Sequence, residues 1–91
     1  MAVQNIEPLS EHTLKRTFDE RKSQGHYTHL LLVEPQTTEG SEYVIPFKTD
    51  EPNDGALMKQ FAEFVANKKA ACLVAVHYLG AKNFRESRLA L

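Results

Sequence analysis

Tryptophan is absent from this sequence, cysteine occurs once, and glycine and proline occur four times each. One cysteine excludes an intrachain disulfide, so nothing covalent supports the fold. Neither GxGxxG nor GxxxxGK[ST] is present, which excludes the glycine-built phosphate cradles. GxSxG, HExxH and CxxC are missing too, so no nucleophile elbow or short-spaced zinc site is encoded. Charge of one sign is also missing: eleven basic and twelve acidic residues leave a net charge of −1. That balance gives no general attraction to nucleic acid or to an anionic membrane. The apolar runs are far too short to span a bilayer. No basic segment followed by an apolar core opens the chain, so no signal peptide is expected, and the expected compartment is the cytoplasm. No cofactor is expected.

What remains is one small domain of 91 residues. A chain of this size buries roughly 60–65% of its unfolded surface, which leaves a thin stability margin. Residues 1–9 read as an irregular arm, with Pro8 holding Glu7 extended. Residues 10–91 form the domain. Ser10 is an N-cap, Glu11 complements the helix dipole, and Gly25 supplies a left-handed stop, which predicts a helix over 11–24. Its apolar stripe is narrow, mainly Leu14 and Phe18. Leu57, Met58, Phe61, Phe64 and Val65 recur at i, i+1, i+4, i+7 and i+8, a second and stronger amphipathic helix. Asn53 or Asp54 caps its start.

Three strands are expected over 27–34, 42–48 and 71–79. The first and third are apolar on both faces, as in a strand covered from two sides. In the third, Cys72, Val74, Val76 and Tyr78 are expected to face one way and Leu73, Ala75, His77 and Leu79 the other. Pro46 marks the second as an edge strand. After the turn at Gly80 the tail, 84–91, reads as a fourth strand closing a hairpin, with a helix as its alternative. The expected class is α+β in the order α-β-β-α-β-β (or α-β-β-α-β-α), a small mostly antiparallel sheet with two helices packed on it. The halves match weakly at an offset of 43, as in Phe18 with Phe61 and Leu30 with Leu73.

The candidate chemistry is sparse. Asp50-Glu51-Pro52-Asn53-Asp54-Gly55 fails as a calcium loop, because Pro52 and Phe61 fall where oxygen ligands belong. Cys72, inside an apolar run, reads as a buried structural residue. His29 and His77 are the residues of a possible polar site, assembled in space with Cys72 or an acid. Lys15, Arg16, Arg21, Lys22, Lys82, Arg85 and Arg88 are candidate phosphate contacts.

The function expected first is a non-catalytic protein–protein interaction module, self-associating, such as a small adaptor, inhibitor or phage-type accessory protein. If both helices cover one sheet face, Leu30, Leu32, Leu73 and Leu79 lie on the other and need a second copy or another protein. A nucleic-acid binder is the second expectation, and a small enzyme or metal protein the third.

Overall fold

Ser10 accepts the Thr13 amide at 3.1 Å and Gly25, at φ 71°, donates back to Arg21 O. Between these caps runs helix α1, Glu11–Gln24, with the bounds its signals predict. Helix α2, Gly55–Lys69, starts at Asp54, whose carboxylate accepts the Leu57 amide at 3.0 Å, and stops at Ala70 in a left-handed conformation. The computed structural model describes residues 5–90. The strands are β1 Asn5–Glu7, β2 His29–Pro35, β3 Glu39–Ser41, β4 Tyr43–Phe47, β5 Ala71–Tyr78 and β6 Arg88–Leu89.

The main sheet has the order β4-β2-β5-β6 and is antiparallel throughout. Its element order is the expected α-β-β-α-β-β, with a minor parallel pair, β1 and β3, beside it. The arm expected to be irregular therefore carries a short strand. β4, with its proline, is an edge strand as expected. Both β4 and β5 run antiparallel to β2, so they are parallel to each other and α2 is the crossover between them. Among the described residues no helix is long and apolar enough to cross a membrane.

The helices lie on opposite faces of this sheet. Leu57, Met58, Phe61 and Val65 of α2 pack with Leu31, Val33, Ala71 and Val76. Leu14 and Phe18 of α1 pack with Leu30, Leu32, Ala75 and Leu79. Alternate residues of β2 thus face different helices, and every residue from His29 to Val33 is buried. The premise that both helices share a face does not hold. Leu30, Leu32 and Leu79, expected to be left over for a partner, are core residues beneath α1. The offset-43 likeness also lacks a matching symmetry. A two-fold exchanging the antiparallel β2 and β5 would put both helices on one side.

A second departure sits within β5. Leu32 pairs with Ala75, but Val33 pairs with Leu73, so Val74 is an extra residue in a bulge. The bulge swaps the faces on either side of it. Leu73 joins Val76 on the α2 side, whereas Val74 and Ala75 both pack on the α1 side. Cys72 is exposed, not buried. It lies opposite Glu34 near the end of β2, on the face turned away from α2, whereas Ala71 beside it is buried in the α2 core.

Candidate functional site

β5 places His77 on the α1 side, opposite Leu30 of β2 and Arg88 of β6. The tail reaches β6 through a 3-10 turn, Phe84–Glu86, capped by Asn83, whose side chain accepts the Glu86 amide. A continuous strand over 84–91 was expected; the tail gives this turn and a two-residue strand. The turn seats the Phe84 ring between α1 and β5. It meets Phe18 edge-on at 5.6 Å and stacks on His77 at 4.9 Å with planes 17° apart.

The same turn fixes the protons on His77. Ser87, fully buried, donates its hydroxyl proton to Phe84 O at 2.6 Å. A hydroxyl has one proton, so at 2.7 Å Ser87 Oγ accepts from His77 Nδ1–H. Nε2 is therefore left as an acceptor, and no described residue bonds it. Burial holds the His77 pKa below 6.5, and the nearby Arg88 charge lowers it further, so the ring is neutral at pH 7.

His77 lies in the lining of an open groove of about 820 Å³ between α1 and the β5–β6 hairpin. Leu14, Leu32, Val74, Ala75 and Phe84 give the groove its apolar surface. Glu11, Lys15 and Asp19 of α1 line one side, and Arg85 and Arg88 of the tail the other. Lys15 pairs with Asp19 at 2.9 Å, the one ion pair among the described residues. Arg85 and Arg88 are exposed and meet no described acid.

No family model, curated protein or solved structure matches this chain.

The two histidines expected to share a site do not. His29 pairs with Tyr78 and His77 with Leu30, so they are close along the ladder but on opposite faces. His29 lies between the Phe61 and Tyr78 rings. Its Nε2–H donates to Asn53 Oδ1 at 2.6 Å, and its Nδ1 accepts from Thr28 Oγ at 2.7 Å. Both ring nitrogens are used, and the residue acts as a clamp on the segment leading into α2. Burial lowers its pKa, partly offset by the Asn53 bond. Among the described residues no three His, Cys, Asp or Glu side chains gather as metal ligands.

The basic residues also divide. Lys15, Arg85 and Arg88 line the groove. Lys22 instead caps the carbonyls of Leu79 and Ala81, and Arg21 lies over the Tyr27 ring. Arg16 and Lys82 are exposed and outside the groove lining. Leu73 is the one expected interface leucine left half-buried. It lines a second groove, of about 640 Å³, beside Met58 and Leu89 on the α2 side.

A pH dependence of stability follows from the two buried histidines. Each binds its proton less readily when folded than when unfolded. Above the ordinary value of 6.5 both states are neutral and stability is flat. As pH falls below it the unfolded chain takes up protons first, so stability declines until the lowered folded values are reached. Melting followed from pH 8 to pH 5 should show this decline, and His29→Gln should shrink it. A midpoint that stays level across the interval would show that neither ring is shielded.

Proposed function

We propose that this chain is a non-catalytic protein–protein interaction domain whose docking surface is the groove between α1 and the β5–β6 hairpin. The observation that carries this reading is an apolar surface bordered by charges of both signs, with two arginines that no described acid engages. Protein interfaces have this anatomy, with an apolar centre, a polar rim and arginine among the favoured anchors. The self-association expected from bare leucines loses its basis, because α1 covers Leu30, Leu32 and Leu79. The partner is therefore read as a different protein, met in the reducing cytoplasm.

Nucleic acid fits less well. A phosphate backbone needs a continuous basic track. Lys22 and Arg21 are committed within the fold, and Glu11 and Asp19 line the groove beside the free arginines.

A photo-crosslinking residue at Glu11, exposed in the groove lining, should give a discrete protein adduct in the source cell. The same residue at Glu63, on the exposed side of α2, should not. An adduct with nucleic acid at Glu11 would favour the second reading. Equal labelling from both positions, or none from Glu11, would overturn the groove as the docking surface.

A further inference from the structure

Resting on the groove reading above, we propose that the partner presents a carboxylate to Arg85, Arg88 and His77, and that this carboxylate binds together with a proton. The geometry of the ring carries the argument. His77 Nδ1–H is committed to Ser87, so Nε2 holds a lone pair that no described residue uses and that is not sealed from solvent, on a ring that lines the groove. A carboxylate also offers only lone pairs, so it meets Nε2 favourably only when that nitrogen is protonated.

The charges facing the ring come from three elements. From α1 come Glu11, Lys15 and Asp19, of which the last two neutralise each other. Arg85 comes from the 3-10 turn and Arg88 from β6, directly opposite His77 in the ladder. β2 contributes Leu32, which carries no charge. The free excess is therefore positive, two arginines against Glu11. Burial and Arg88 both disfavour the imidazolium. A carboxylate seated between the arginines offsets their charge and gives Nε2–H an acceptor. Binding and protonation then favour each other. The apolar surface of Leu14, Val74 and Phe84 suits an aliphatic side chain next to that acid, which points to a protein segment over a phosphate chain.

The test uses the full chain, nitrogen-15 labelled, and follows the His77 ring and the Arg85 and Arg88 side chains by NMR. The probe is a short peptide with leucine between two glutamates, compared with its glutamine analogue. The glutamate peptide should shift all three residues. Its affinity should rise as pH falls from 8 to 6, by up to about tenfold per pH unit. Joint Arg85→Gln and Arg88→Gln, at exposed positions, should weaken it about tenfold or more. His77→Gln should remove the pH dependence and leave the salt dependence.

Equal binding of the two peptides at the groove would overturn the carboxylate and leave the docking surface standing. Displacement of the peptide by a single-stranded oligonucleotide, with the same signals moving, would overturn it in favour of phosphate. Shifts that grow with protein concentration alone would name a second copy as the occupant. No response to either peptide would overturn the carboxylate inference, while the crosslinking at Glu11 judges the groove separately.

Discussion

Phe61→Ala is expected to leave most molecules unfolded at physiological temperature. Phe61 is the middle of the α2 stripe and is 1% exposed. Its ring meets Phe47 edge-on at 5.1 Å and His29 at 5.1 Å, so it joins α2 to both β2 and β4. Truncating a buried phenylalanine costs about 3–5 kcal/mol, from lost transfer energy and from the cavity left behind. A domain holds roughly 5–15 kcal/mol in all, and one this small sits toward the low end. The His29 clamp on Asn53 loses its packing support in the same step. Thermal unfolding by circular dichroism measures the outcome. A cooperative melt within a few degrees of the parent would place α2 at the periphery of the core.

Leu30→Glu is expected to have an effect of similar size on the other face. Leu30 is fully buried and packs with Phe18 and Leu79 beneath α1. A glutamate there enters an apolar cluster, where the Lys22 amine over the Phe18 ring is already held by the Leu79 and Ala81 carbonyls, and an uncompensated buried charge costs about 3–5 kcal/mol. α1 is held by few side chains, chiefly Leu14 and Phe18, so it should detach before the α2 layer melts. Sedimentation combined with far-UV circular dichroism separates this outcome from its rival. Were Leu30 a contact between copies, the variant would keep its helical signal and change only its mass. Loss of helical signal is the result that the three-layer packing requires.

The helices were legible in the sequence because their signals are local. Ser10 and Gly25 bound α1, and the spacing of Leu57, Met58, Phe61, Phe64 and Val65 marks α2. Pro46 likewise marked an edge, since a residue without an N–H is costly inside a ladder. What escaped was set by tertiary contacts. A two-residue stripe on α1 says how little it buries, not which sheet face it meets. The bulge at Val74 has no glycine or proline to announce it, so strict alternation put Leu73 and Ala75 on one side. Cys72 looked buried because it sits among apolar neighbours in sequence, yet it is Ala71 that faces α2, and Cys72 is exposed on the other face of the sheet. The candidate site depends on a bond across ten residues, His77 to Ser87, and on a turn whose Asn83-Phe84-Arg85-Glu86 capping pattern lay unread across the boundary between the expected turn and the expected strand.

The order in which the sheet is completed bears on how the chain is made. β2 is the most buried strand, yet its neighbour β5 follows about 40 residues later along the chain. A ribosome therefore releases β2 well before either α2 or β5 exists. In that interval α1 and β4 shelter one face and one edge of β2. Leu31 and Val33 on the other face, and the edge that β5 will take, stay open to other nascent chains. Successful synthesis rests on how quickly the second half arrives.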